Sequence, residues 1–586
     1  MRVDIIGGGP AGLFLSTLLR RERFVDDVRL FERNEPSDSV GWAVVFPEGS
    51  LDALSKVDPG AYEEIERAGM SWTQVEIRCR DSRYLVQGNR FHGIGRDALL
   101  NIMRERATDL GVQLNYGHQT TDLAKHADAD LIVGADGLNS FVRNQLPERF
   151  GPHIENGSFW YGWFGVEAAQ PTFGYIFVDT EWGLFQGYVY PSGQNWSSLI
   201  IYVSEETRQR SGLATMDVDE SLRFCEQVFA AHLDGKPILR RGPAWTKFRH
   251  LRCDSWHTDD IVLIGDAAHT AHWSIGSGTR LAIEDSIALA AQLRANPTHV
   301  PDALAMYEKV RRDRVEQFQD AARLSERYFD NVQRYLDYDP IQFAYQLTAR
   351  SWRITFADIA KRDPAFIRRF NAWFHGKASG SSTEIAPPPV FAPASIGNLR
   401  LANRVVTTVP MAGAGLVIGS PSVDGQPAAA VLSPDGLEQS LADAQTAGYQ
   451  VALLDLSTTP VAELQTAPPV GELASLRAHW PAEQPVGAIL GLSAGCDAEP
   501  GVADAIAVGR ALELSQVDVV LLRPADGDPP QPGQVLQVAD AVRNETGLAV
   551  IVDDGLRTFD AADTAIAAGR SDLCVLRFDL PDAREA

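Results

Sequence analysis

The chain has 586 residues, a formal net charge of −24, 45% hydrophobic and 22% charged residues. A single core rarely grows past roughly 250–300 residues, so two or three domains are expected. The acidic balance excludes nucleic acid as a partner, because phosphate binding depends on clustered Lys and Arg, and no stretch approaches the ~20 apolar residues that span a bilayer.

In chain order, Arg2 to Ile6 reads as a short apolar strand that runs into glycines and lacks the charged start and long apolar middle of a signal peptide. Residues 7–12 form a glycine turn, Ala11 to Arg20 a helix, and Val28 to Phe31 a second strand ending at Glu32. This βαβ unit opens a doubly wound sheet. The turn Gly7-Gly-Gly-Pro10-Ala11-Gly12 fits G-x-G-x-x-G. Gly7 allows the tight turn, Gly9 lets the backbone approach a pyrophosphate, and Gly12 lets helix and strand pack closely. Glu32 and Arg33 follow at the strand end, where a carboxylate accepts ribose hydroxyls. A dinucleotide site is expected here.

From roughly 150 to 250, segments such as "FGYIFVDTEWGLFQGYVYPSGQNWSSLIIYVS" are dense in aromatic and β-branched residues broken by Gly, Pro and Asn. They read as antiparallel strands of one large sheet. Residues 283–372 carry a helical pattern. Residues 377–389, Gly/Ser followed by Pro-Pro-Pro, have the composition of a linker. After it the chain is rich in Ala, Val, Leu and Asp, and from residue 391 it holds 25 Asp or Glu against 10 Arg and no Lys, a net of −15. That excess reads as a solvated acidic surface. The five cysteines are scattered and lack any Cys-x-x-Cys pair. They predict reduced thiols in a cytoplasmic protein, with no disulfide framework and no metal site.

Two later segments decide which dinucleotide. "DLIVGADGLNSFVR" is a strand and tight turn containing Asp136, and "DIVLIGDAAHT" is a strand ending in Gly265-Asp266. With the N-terminal glycines, these resemble the class A flavin monooxygenases of the hydroxybenzoate-hydroxylase type. The resemblance implies FAD, with Asp266 on the ribityl chain and Asp136 at a turn linked to both FAD and the nicotinamide cofactor. Arg96 in "GIGRDALLNIM" matches the Arg-x-x-Leu position near the flavin.

The stretches "AHWSIGSGTRLAIEDSIALA", "VGWAVVFPEGSL", "WTKFRHLRCDSW" and "FAYQLTARSWRITFADIAKRDPAF" resemble a narrower group, which contains the salicylyl-CoA 5-hydroxylases and the 2-aminobenzoyl-CoA monooxygenase/reductases. In that group a His-aromatic-Ser-Ile-Gly sequence replaces the usual prolines of the flavin loop. The resemblance therefore assigns His272, Trp273 and Ser274 to the loop facing the flavin, with backbone donors from Ser274 through Gly276 to Gly278. His272 orients the substrate, shuttles a proton or only caps the loop. Trp273 either closes the pocket or only packs. Val45, Tyr161 and Trp163 are candidate pocket walls. The implied reaction takes NAD(P)H, with NADH favoured, and O2, and hydroxylates an aromatic substrate through a flavin C4a-hydroperoxide.

"VFAPASIGNLRLANRVVTTVPMAG" and "VIVDDGLRTFDAADTAIAAGRSDLCVLRF" resemble the opening and closing units of old yellow enzyme-type barrels. Asp455-Leu-Ser-Thr-Thr459 stands where those barrels carry a His-containing motif. The segment is also shorter than the typical ~250 residues of a (β/α)₈ domain, so units are expected to be shortened or lost. The resulting expectation is an α/β protein: a Rossmann-like FAD-binding domain with an inserted antiparallel-sheet substrate domain and C-terminal helices (1–376), a linker (377–389) and a truncated, degenerate TIM-barrel-like domain without FMN (390–586). The function implied is 5-hydroxylation of salicylyl-CoA to gentisyl-CoA. The alternative is hydroxylation of another aryl-CoA or of an indole intermediate. No membrane partner is expected, and a homodimer is left open.

Overall fold

The computed structural model describes residues 1–22, 24–38, 41–193, 195–381, 383, 385–411, 413–420, 426–526 and 533–577. By contacts the chain divides into two compact units, 1–333 and 334–586. The division falls ahead of the Gly/Ser and proline run at 377–389. The helices Pro340–Ala349, Phe356–Arg362 and Pro364–Ser379 therefore belong to the second unit and not to the FAD-binding region in which the sequence placed them.

In the first unit, β1 (Arg2–Ile6) is central in a five-stranded parallel sheet, flanked by β2 (Asp27–Phe31) and the strand Leu131–Gly134. Val3, Ile5 and Ile6 are all buried, as expected of a strand covered on both faces. Its acidic residue, Asp4, is fully buried, pairs with Arg29 at 2.6 Å and is hydrogen-bonded to His126 Nδ1 at 2.7 Å. Helix α1 (Pro10–Leu19) starts with proline at its first turn, where the missing N–H costs nothing.

The second sheet of this unit is mostly antiparallel and eight-stranded. It is larger than the sequence suggested, because Val75–Cys79 and Ser82–Val86 extend it, the former pairing in parallel with Phe173–Thr180. Alternation gives its faces different jobs. Phe164, Phe185, Leu199 and Ile201 pack with Leu222, Cys225 and Phe229 around the helix Val218–Val228. Tyr161, Trp163, Tyr188 and Tyr202 occupy the other face. The helices Gly278–Ala295 and Val300–Asp330 complete the unit.

The second unit holds a closed parallel barrel of eight strands, from Val405–Thr407 to Leu573–Val575. The expected truncation is corrected here: no strand is lost. Contraction lies in the connections, because among the described residues no helix follows the first two strands, whereas each later strand-to-strand connection carries at least one. Val451, Leu453, Ile489, Val519, Leu521 and Ile551 fill the barrel interior. Ala452, Leu454, Ala488, Leu490, Val520 and Val550 face the helices. The interior is thus a packed core. Among the described residues no helix is long and apolar enough to cross a membrane.

Candidate active site

The glycine turn after β1 is built for a close approach. Gly7 has φ +113°, a left-handed conformation that a side chain would strain, and its N–H donates to Phe31 O at 2.8 Å. A Cβ added at Gly9 would have nothing within 4 Å, so this backbone borders open space at the N-terminus of α1. Ala11 is buried in the first turn of α1 behind Pro10, and its carbonyl accepts from Ser286 Oγ at 3.0 Å. A Cβ on Gly12 would strike Gly7 O, which accounts for its need to be small. Glu32, just past β2, accepts from Gly8 N at 2.7 Å and from Asn34 N at 2.9 Å, and so braces the turn. Arg33 beside it is exposed.

Gly265 (φ +59°) turns the chain after the strand Ile261–Leu263 and projects Asp266 into a cleft. Solvent reaches Asp266, yet protein encloses it. Burial raises its carboxyl pKa, against the charges of His269 and Arg96. Arg96 opens the helix Arg96–Asp109. It too is half-exposed by surface but enclosed, and desolvation lowers its pKa against the pull of Asp266 and Asp97. Open surface within an enclosing wall is the mark of a deep cleft. Asp136 lies at the next strand end: one carboxylate oxygen accepts from Phe141 N (2.6 Å) and Val142 N (3.2 Å), while the other is buried without a hydrogen-bond partner. Its placement is that of a turn cap with one oxygen to spare.

The flavin loop is a short helical turn, Trp273–Ile275. His272 caps it and is fully buried: Nδ1 accepts from Ser274 N at 3.4 Å and contacts Ser274 Oγ at 2.9 Å. Burial pushes its pKa down to about 4, so the ring is neutral. His272 is therefore a buried cap of the loop, in contact with Ser274 and packed by Tyr202, Phe248 and Trp273. Trp273 is half-buried, with ring centroids of Tyr188, Tyr202 and Tyr161 at 5.0, 5.5 and 5.9 Å. Burial and the Asp266 charge push the Tyr161 hydroxyl up to about 12, which ties this aromatic wall to the Asp266 cleft. Trp163 donates to Ser198 Oγ at 2.7 Å and packs where a Cβ on Gly41 would also meet Arg96. Gly276 (φ +62°) closes the turn against Val45 O, 3.2 Å from an added Cβ, and a Cβ on Gly278 would meet nothing within 4 Å. The structure brings Asp266, Arg96, Tyr161 and Trp163 near one another, with Trp273 against Tyr161, whereas Ala11 and His272 are buried and Arg33 is exposed.

Several supporting residues escaped the sequence reading. Asp285, fully buried, accepts from Gly265 N (3.0 Å), His269 Nε2 (2.8 Å) and Arg311 Nε (2.8 Å) and so fixes the turn that presents Asp266. The signal was present: Glu284-Asp285 interrupts an otherwise apolar run, "LAIEDSIALAA". Arg143 donates to Ala267 O (2.8 Å) and Leu138 O (2.6 Å) and joins the two strand-end turns. Nothing local in the sequence marks that role. Among the described residues no group of three or more His, Cys, Asp or Glu is arranged to hold a metal ion.

The residues fit a flavin dinucleotide: open space beside Gly9 and Gly278, a spare oxygen on Asp136, and an enclosed carboxylate and guanidinium at Asp266 and Arg96. Fold and site define a flavin-dependent monooxygenase. Residues 1–322 match the FAD binding domain family, and the protein belongs to that family. Salicyloyl-CoA 5-hydroxylase of a Streptomyces species is 36% identical over 419 residues, covering 70% of this chain and 79% of its own. A 3-hydroxy-4-methyl-anthranilyl-(aryl-carrier protein) 5-monooxygenase of Streptosporangium sibiricum is 29% identical over 61% of this chain and 97% of its own. Protodeoxyviolaceinate monooxygenase of Chromobacterium violaceum is 26% identical over 60% and 94%. The chain is an FAD-dependent aromatic monooxygenase.

Proposed function

We propose that the protein hydroxylates an aromatic ring carried as a thioester, salicylyl-CoA first, at position 5, to give gentisyl-CoA. The observation that carries this reading is the aromatic wall of Trp273, Tyr161 and Trp163 beside the Asp266 cleft, a surface that holds a flat ring by contact. Two similar proteins are named for 5-oxygenation of an acyl group held on CoA or on a carrier protein, which supports the thioester and the position. A second reading, another aryl-CoA or an indole intermediate, draws on the violaceinate relative.

Bound FAD supplies reductive activation of O2 with electrons from NAD(P)H, NADH being the first choice. The chain's own part is placement. Asp266 and Arg96 hold the cofactor's polar portions, the glycine turn receives its pyrophosphate, and Asp136 completes the edge. Trp273, Tyr161 and Trp163 orient the ring and exclude water, which keeps the activated oxygen for the substrate. Ser274 to Gly278 present backbone donors to the ring system, and His272 holds that turn in shape.

The barrel, on this reading, carries no FMN. Its strand-end guanidiniums are already occupied: Arg523 donates to Ser457 Oγ at 2.6 Å, and Arg577 pairs with Asp553 at 2.5 Å. Buried thiols such as Cys225, Cys253 and Cys574 form no disulfide, in keeping with a cytoplasmic enzyme. Aryl acids, aryl-CoAs and indoles are to be compared for substrate-stimulated NAD(P)H oxidation and hydroxylated product. Product from salicylyl-CoA but not salicylate supports the reading; stimulation by free acids or indoles alone sinks it.

A further inference from the structure

Behind the flavin loop, the helix Val300–Asp330 carries a carboxylate among its buried positions, Glu326. Its two oxygens face two imidazoles: Oε2 lies 2.7 Å from His250 Nε2, and Oε1 lies 3.8 Å from His272 Nε2. His272 Nε2 is itself buried and makes no hydrogen bond, while Nδ1 already receives the Ser274 N–H and contacts the Ser274 hydroxyl. With Nδ1 accepting the Ser274 N–H, the proton of this neutral ring falls on Nε2, whose nearest carboxylate oxygen is Glu326 Oε1 at 3.8 Å. Room for Glu326 comes from the strand Pro152–Val166, whose pairing shifts between Asn156 and Trp160. Gly157 sits in that irregularity, and a Cβ there would lie 2.7 Å from Glu326 Oε1.

We propose that Glu326 is a positioning residue for the hydroxylation: by facing both His250 and His272 it fixes the Nε2–H form of His272, and so the Ser274 turn over the flavin. A carboxylate can accept from two imidazoles at once, whereas an amide offers one acceptor and one donor. Burial would raise the Glu326 pKa, but the His250 hydrogen bond and the nearby imidazoles outweigh it and hold the group below the usual range. His272 in turn is enclosed by Phe248, Tyr202 and Trp273, none of which offers its ring nitrogen a carboxylate.

The inference rests on the proposed hydroxylation for its catalytic consequence but not for its structural one, and the test separates them. In Glu326→Gln the amide oxygen stays with His250 and the NH2 turns to His272, which forces the proton to Nδ1 against the Ser274 N–H. Ring nitrogen shifts in protein labelled with 15N-histidine should then report loss of the Nε2–H form of His272. Product formed per NAD(P)H consumed should fall about three- to tenfold, with FAD content and flavin reduction within about twofold of wild type. Gly157→Ala is the second variant: only the end of a flexible side chain must move, so the fold is kept while Oε1 is displaced, and a smaller change in the same direction is expected. An unchanged His272 signal, or unchanged coupling in both variants, overturns the proposal. If wild-type protein hydroxylates none of the aryl thioesters, the functional reading fails, and the histidine spectra, which need no substrate, still decide the role of Glu326.

Discussion

In the first unit, β1 runs into a turn where a Cβ on Gly9 would meet nothing within 4 Å, and the next parallel strand end offers an Asp136 oxygen without a partner. In the barrel, the strand Val451–Asp455 ends on a carboxylate that accepts from Ser457 Oγ at 2.6 Å and from Arg523 at 3.3 Å, and Asp553 after the strand Ala549–Val552 is taken by Arg577. Ligands of both architectures bind at the carboxyl ends of parallel strands. The first edge keeps an Asp136 oxygen in reserve for a ligand, whereas Asp455 and Asp553 in the barrel are spent on neighbouring side chains. A fold that can bind a cofactor is thus not evidence that it does; the state of the groups at the strand ends decides.

The sharpest way to break this contrast is to disturb the support of the first edge. Asp285→Ala leaves Arg311 buried without its closest carboxylate and frees Gly265 N and His269. Removing one member of a buried pair costs about 3–5 kcal/mol, so thermal unfolding should show a large loss of stability together with loss of FAD. Asp266→Ala acts on the cofactor alone. Losing one charged hydrogen-bonding group should weaken FAD retention by roughly 10- to 100-fold with the fold intact, as read by flavin released on gel filtration. If Asp455→Ala in the barrel strips FAD equally, the contrast is wrong.

The loop separates further by pH. His272 has a pKa held near 4 in the folded protein, below its ordinary 6.5, because burial disfavours the cation. Between those values the unfolded chain binds a proton that the folded one refuses. Stability contributed by this residue is therefore complete above about pH 6.5 and is lost as pH falls toward 4, at no more than about 1.4 kcal/mol per pH unit. His272→Phe should flatten the dependence of melting temperature on pH in that window. An identical profile in the variant would place the imidazole in a wetter site than the structure shows. In the working enzyme, His272→Ala should keep FAD and lower product per NAD(P)H by about tenfold or less, the scale of a loop cap and not of a proton donor.

Much of this was legible in the sequence because it is local. The glycine turn, Glu32, Gly265-Asp266 and the barrel's closing unit are each fixed by a few consecutive residues whose backbone needs are specific. The aromatic face of Tyr161, Trp163, Tyr188 and Tyr202 followed less directly, since only the register of Tyr161 opposite Tyr202 puts those rings on one side. What stayed hidden depends on long-range contact. Glu326 meets His272 across 54 positions in the chain, Arg143 reaches Ala267 O from the other strand end, and the helices of 340–379 show no local sign that they belong with the barrel. The barrel's eight strands were also missed, because its first two connections lack helices and the 3.6-residue rhythm that marks a βα unit is absent there.

The smallest effects are expected in the barrel, and they test the contrast from its other side. Arg523 and Asp455 are about one-third and one-quarter exposed, so their pair is screened by water. Such partly exposed pairs contribute about 0–1 kcal/mol. Arg523→Ala should therefore shift unfolding by less than about 1 kcal/mol and leave FAD content and turnover as in wild type. Acid extraction of wild-type protein should release about one FAD and no FMN per chain, since Asp136 keeps an oxygen free at one edge while Asp455, Ser457, Arg523 and Asp553 are taken up by one another or by Arg577 at the other. Stoichiometric FMN, or loss of flavin on replacing Arg523, would mean that the Asp455–Ser457–Arg523 cluster opens to receive a phosphate. The two strand ends would then differ in their resting state and not in their function.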